Sequence, residues 1–280
     1  IQMVFWMDED FFLLLSWIMI VSGVITMIAL LYGMKASYGR YASSDARSVA
    51  ARWGWLIQEA PSFLLPVSAF WEAPNLGCKI IILLMVIHYA NRTFIFPLQL
   101  KNPKPTPLSI VASAFVFCTW NGYLQGFYHA WYYSFESGHF KNPITIIGFV
   151  LFFGGMAINL QSDDILRNLR KDGETEYKIP RGGMFEYVSG ANFFGEIMEW
   201  FGYFLVARSS PSPPSIITLP LDLYLQLPFL SSLSPTLARG LFSTTNGTRR
   251  SSTTILTTER PSSLSYSKYF HIFFAVLCIL

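Results

Sequence analysis

Asn159 and Asp163 stand four residues apart in a run otherwise apolar enough for a bilayer, and Asn192 and Glu196 repeat that spacing farther along the chain. Four residues is about one helical turn, so each amide and carboxylate pair shares a helix face. Such groups are expensive in hydrocarbon and mark function there. Glu59 in WLIQEAPSF and Tyr89 in VIHYANRTF are similarly isolated. Desolvation disfavours the charged carboxylate, so Glu59 can act as a neutral hydrogen-bond donor, as a phenol does. Two donors converging on a carbonyl oxygen polarise it and stabilise an enolate forming there. The alternative is structural: Glu59 tethers a neighbouring helix, and Tyr89 belongs to an interfacial aromatic belt.

Arg167, Arg170 and Lys171 follow Asp163 as the apolar run ends. Deep amide and carboxyl groups with guanidinium groups at the mouth suit a long anionic ligand, its polar ring buried and its phosphates outside. A positively charged flank with an Asp163 to Arg167 helix pair, worth about 0.3–0.5 kcal/mol, reads the same letters differently. Asn192, Glu196 and Glu199 put an amide and two acids in one apolar segment. No GxGxxG occurs, and Gly182–Gly183 is only a doublet, so a nucleotide would be held by helices and loops.

The elements that must position these groups are membrane helices. The chain has 280 residues, 52% hydrophobic and 13% charged, against about 25% charged in soluble domains. Candidate spans lie at 11–33, 53–71, 79–99, 107–130, 143–166 and 190–207. The expected fold is all-α, a polytopic bundle. Phe11 to Tyr32 is too long for the core of a cleaved signal peptide, roughly 7 to 15 residues, and is expected to stay as a helix. Because the chain opens on Ile1, the native amino terminus is expected upstream.

Basic residues in the connections alternate. Lys35, Arg40, Arg47, Arg52, Lys101, Lys104, Arg167, Arg170, Lys171, Lys178 and Arg181 fall in the odd loops, and only Lys79 and Lys141 in the even ones. The asymmetry places loops 34–52, 100–106 and 167–189 in the cytosol. A net charge of +3 spread over loops excludes nucleic acid as a partner. Four histidines without ligand spacing suggest no metal. The widely spaced Cys78, Cys118 and Cys278 read as core thiols.

Beyond Arg208 the composition turns to Ser, Thr, Pro and Leu, with Pro211, Pro213, Pro214, Pro220 and Pro228 breaking any helix. Two regions result: a membrane-embedded domain over 1–207, and a low-complexity tail over 208–280, expected to be disordered or frame-shifted.

The segments WLIQEAPSF, HYANRTFIFPL, FCTWNGYLQGFY and the block from Ile158 to Tyr203 resemble the steroid 5-alpha-reductases, closest to the type 1 form. The resemblance covers about residues 30 to 207. It implies a seven-helix enzyme of the endoplasmic reticulum membrane that uses NADPH to reduce the C4=C5 double bond of 3-oxo-4-ene steroids, with hydride going to C5 and a proton to C4. It also implies that Glu59 and Tyr89 hold the 3-keto oxygen, with Trp200 near the steroid. Asn159, Asp163, Arg167, Arg170, Tyr177, Asn192 and Glu196 would contact NADPH, with Lys101 and Lys104 where relatives carry arginines for its phosphates. The rivals are related membrane reductases of enones, enoyl thioesters or polyprenols, and a catalytically dead truncated isoform.

The family's carboxy-terminal block is absent as written. Read one nucleotide earlier, codons permitted for Ser243 to Lys268 can spell that block in order. A frameshift or misjoined exon between about residues 206 and 243 is the expectation, and a chain carrying the tail in place of the seventh helix is expected to have little activity.

Overall fold

The structure, a computed structural model, describes residues 8–32, 47–101, 103–135, 138–169, 178–188 and 190–208. Long helices stand at each expected span: α1 (Glu9–Leu31), α2 (Ala51–Glu72), α3 (Leu76–Ala90) with its continuation α4 (Phe96–Gln99), α5 (Leu108–Trp131), α6 (Pro143–Asn168) and α7 (Ala191–Ala207). The stretch Leu76–Gln99 and α6 are long and apolar enough to cross a membrane. The sequence reading missed one departure from all-α: a two-residue antiparallel ribbon, β1 (Ser48–Val49) with β2 (Thr106–Pro107), pairing Ser48 with Pro107 and Val49 with Thr106. It joins the amino-terminal ends of α2 and α5, and Leu108 N adds a bond to the Arg47 carbonyl at 2.8 Å.

Two helix pairs form the frame, and in each glycine lets backbones approach. A Cβ on Gly122 of α5 would lie 2.7 Å from the Pro61 carbonyl oxygen, and one on Gly126 would lie 3.0 Å from Pro66 Cα. The two prolines of α2 thus nest against two glycines one turn apart on α5. Gly148 and Gly155 of α6 face Gly202 and Gly195 of α7, and a Cβ on Gly195 would fall 2.5 Å from Asn159 N. Small residues at such seams let the two backbones meet in close van der Waals contact.

Between Ala90 and Phe96 the third helix widens into a π-helical turn, Asn91–Ile95, closed by the Phe96 amide bonding to the Asn91 carbonyl. Such turns recur at functional sites. The carboxyl end of α7 is capped from the α5–α6 connection: Tyr133 hydroxyl donates to the Ala207 carbonyl, and His139 Nε2 donates to the Val206 carbonyl at 2.8 Å. These satisfy carbonyls that the helix itself leaves open. α1 docks through Phe12, fully buried among Tyr123, Tyr128, Trp131 and Tyr132 of the α5 end. Cys78 and Cys118 are buried free thiols, as expected of core cysteines, while Cys278 and the tail beyond Arg208 lie outside the described residues.

Candidate functional site

One face of α5 collects the groups singled out at Glu59 and Tyr89. Cys118, Asn121 and Gln125 recur at intervals of three and four, so their side chains stack along one stripe. Cys118 Sγ donates to Glu59 Oε2 at 3.5 Å, Asn121 Nδ2 to the Tyr89 hydroxyl at 3.1 Å, and the Tyr203 hydroxyl to Gln125 Oε1 at 3.3 Å. Glu59 and Tyr89, from α2 and α3, therefore meet the same stripe one turn apart. Gln58 Nε2 holds Glu59 Oε1 at 3.0 Å. The long sulfur contact leaves Oε2 the more loosely held oxygen, and hence the one that can carry a proton and donate it. Trp200 is buried beside them, its ring centroid 6.0 Å from that of Tyr89 and 4.6 Å from that of His88.

Asn159 and Asp163 share one face of α6, and the glycine seam, which brings α6 and α7 into backbone contact, sets that face against Asn192 and Glu196. Asn159 Nδ2 donates to the Asn192 carbonyl at 3.0 Å and to Glu196 Oε1 at 3.1 Å. Between the acids lies a cation that the sequence reading did not single out. Arg92, projecting from the π turn and 7% exposed, places NH1 3.3 Å from Asp163 Oδ2 and NH2 3.5 Å from Glu196 Oε1. Its guanidinium lies over Trp55 at 5.0 Å and Phe96 at 4.6 Å. Two carboxylates around one guanidinium leave an excess of acceptors, and with the Asn159 amide these suit a carboxamide and sugar hydroxyls.

The helix pair proposed between Asp163 and Arg167 is not formed. Asp163 turns inward to Arg92, while Arg167 NH2 pairs with the exposed Asp164 at 2.5 Å and NH1 bonds Gln99. Lys101 Nζ donates to Asn168 Oδ1 at 2.7 Å, so Lys101 and Arg167 sit at one mouth. Lys104 is exposed on the same connection. Gly182 and Gly183 both have positive φ, 92° and 52°, and the Gly182 amide is held by Glu186 at 2.7 Å. Arg170 and Tyr177 lie outside the described residues. Among the described residues no cluster of three or more His, Cys, Asp or Glu could hold a metal ion.

A family profile described as 3-oxo-5-alpha-steroid 4-dehydrogenase matches residues 104–217. The mouse 3-oxo-5-alpha-steroid 4-dehydrogenase 1 is 43% identical over 211 residues, covering 72% of this chain and 83% of its own. The human type 1 protein is 46% identical over 178 residues, covering 61% and 69%, and the human type 2 protein 40% over 205 residues, covering 69% and 80%. The chain belongs to the steroid 5-alpha-reductase family.

This is a family of membrane oxidoreductases, and the profile match takes in the whole α5 stripe and the α6–α7 seam, along with Lys104. The reductase-family chain carries a second buried pair that spacing alone did not reveal: His88 Nδ1 lies 2.9 Å from Glu199 Oε1. His88 and Arg92 are four residues apart in HYANRTF, so their shared face was available as a signal. Their partners, 71 to 111 positions away, were not.

Proposed function

We propose that this chain reduces the C4=C5 double bond of 3-oxo-4-ene steroids, with NADPH as cofactor, in the endoplasmic reticulum membrane. The observation that carries the reading is the joining of Glu59 and Tyr89 on one stripe of α5, Cys118 to Asn121, beside a separate amide and carboxylate cluster on α6 and α7. The first arrangement fits a ketone oxygen and the second fits the polar parts of a nicotinamide riboside.

Glu59 and Tyr89 donate to the 3-keto oxygen and stabilise the charge that accumulates there as the double bond is reduced. Donors fixed in a dry site are worth about 10²- to 10³-fold in rate each. NADPH, when bound, supplies the hydride that goes to C5, while a proton goes to C4. Asn159, Asn192 and Glu196 hold the nicotinamide end, with Asp163 kept in place by Arg92. Lys101, Lys104 and Arg167 meet the phosphates at the mouth, and the family resemblance adds Arg170 and Tyr177 to the cofactor's contacts. Trp200 closes over the steroid.

The six long helices cross the bilayer, with loops 34–52, 100–106 and 167–189 in the cytosol. Exposed Trp17, Ile25, Leu64, Trp71, Val116 and Val150 support lipid-facing surfaces. The deciding experiment incubates membranes carrying the protein with labelled testosterone or progesterone and NADPH. The 5α-reduced product is expected. A folded protein that binds NADPH yet leaves every 4-ene steroid unreduced refutes the assignment.

A further inference from the structure

We propose that His88 and Glu199 form a positioning pair for the reduction: Glu199 fixes the His88 imidazole, which holds the Tyr89 and Trp200 rings so that the Tyr89 hydroxyl faces the ketone. The proposal rests on the steroid-reducing reading above and adds to it residues that do not touch the reacting atoms.

Glu199 is fully buried, and its Oε2 has no hydrogen-bond partner among the described residues. Its chain neighbour Trp200 and, one turn on, Tyr203 belong to an apolar cluster with Ile81, Leu84, Met85 and Phe152. An apolar side chain would fill that space at lower cost than a carboxyl group, so packing alone does not account for Glu199. The residue cannot withdraw, because its backbone amide occupies the space where a Cβ on Gly155 of α6 would sit. Oε1 therefore presents a fixed acceptor 2.9 Å from His88 Nδ1. A carboxylate only accepts, so Nδ1 carries the hydrogen and the ring plane is set.

That ring is a wedge. Its centroid lies 4.6 Å from Trp200 and 5.0 Å from Tyr89, edge-on to the latter at 77°. The Tyr89 hydroxyl in turn accepts from Asn121 Nδ2 at 3.1 Å. The pair thus transmits the position of α7, which carries the cofactor residues, to the phenol on α3.

Glu199→Leu removes the acceptor at similar volume, Glu199→Gln keeps one, and the double variant His88→Phe with Glu199→Leu keeps a ring without the bond or an orphaned polar group. Glu199→Leu is expected to lower kcat at least about tenfold with KM for NADPH within about twofold. Glu199→Gln should recover at least about threefold of that loss. The double variant should fold but stay slow, which keeps the test intact if Glu199→Leu does not fold. A second readout needs no turnover: the absorption band of a 4,6-dien-3-one steroid bound with NADP+ moves to longer wavelength as its carbonyl is polarised. Variants without the bond should lose much of that shift while still binding the steroid. Full turnover and full band shift in Glu199→Leu or in the double variant overturn the proposal, as does a parallel loss of NADPH affinity. An unmutated chain that binds the dienone without any shift, and reduces no 4-ene steroid, instead refutes the parent reading.

Discussion

Adding one methyl group at Gly195 tests the coupling between helix packing and the Asn159–Glu196 cluster proposed to hold the cofactor. The new Cβ would stand 2.5 Å from Asn159 N and 2.7 Å from the Gly155 carbonyl oxygen, where ordinary contact begins at 3.4 Å. All of these atoms are helix backbone and cannot rotate away, so α6 and α7 must part by about 0.9 Å, the gap from 2.5 to 3.4 Å. The 3.1 Å bond from Asn159 to Glu196 and the 3.0 Å bond to the Asn192 carbonyl then stretch beyond hydrogen-bonding range. Asn159 is 2% exposed, so water does not replace them. The two bonds lie within the protein, so at about 1 kcal/mol each their loss lowers stability by roughly 2 kcal/mol, with a further cost of about 1–3 kcal/mol from overpacking, and the displaced Asn159 and Glu196 are expected to weaken NADPH binding as well. Fluorescence titration with NADPH and thermal unfolding of the detergent-purified protein read the two effects separately. Gly154→Ala is the control, since a Cβ there meets nothing within 4 Å and alanine favours the helix. Unchanged affinity and midpoint in Gly195→Ala, or equal damage from Gly154→Ala, would refute the reasoning.

Glu59→Gln and Tyr89→Phe should each cut turnover about 10²-fold or more while NADPH still binds, and steady-state kinetics with parallel titration will show whether they do. Asn159→Ala, Asp163→Ala and Glu196→Ala should weaken NADPH binding in the folded fraction; lower expression with intact affinity would assign them to structure alone. Cysteines placed singly in loop 167–189 should react with an impermeant reagent from the cytosolic face of sealed microsomes, and labelling only from the luminal face would invert the topology. Sequencing the transcript between the codons for residues 206 and 243 should reveal a shift of frame; a message in the present frame with a fully active product would end that reading.

The helices were legible because their signal is local: apolar length, and basic residues crowded into alternate connections. The amide and carboxylate pairs were legible for the same reason, since Asn159 with Asp163 and Asn192 with Glu196 announce a face by spacing. What stayed hidden was the partner across that face. Arg92 and His88 read as polar residues near the end of a greasy segment, and nothing in the letters indicates that they meet acids on α6 and α7. Asp163 illustrates the cost of that blindness: its nearest basic residue at helical spacing was Arg167, yet the π turn delivers Arg92 to it instead. The seam itself was visible only in retrospect, as glycines seven apart at 148 and 155 and again at 195 and 202.

The π turn at Asn91–Ile95 also sets the angular phase between two halves of one rod. An α-helix advances about 100° per residue, so removing one residue here would restore an unbroken α-helix and swing everything beyond it through about that angle. Tyr89, upstream, would keep its place against Asn121. Gln99, Leu100 and Lys101, downstream, would lose Arg167, Arg52 and Asn168 respectively. The single extra residue works like an offset in a camshaft: it lets one helix serve a phenol in one direction and the Lys101–Arg167 mouth in another, and a deletion at this point mistimes the two without removing either.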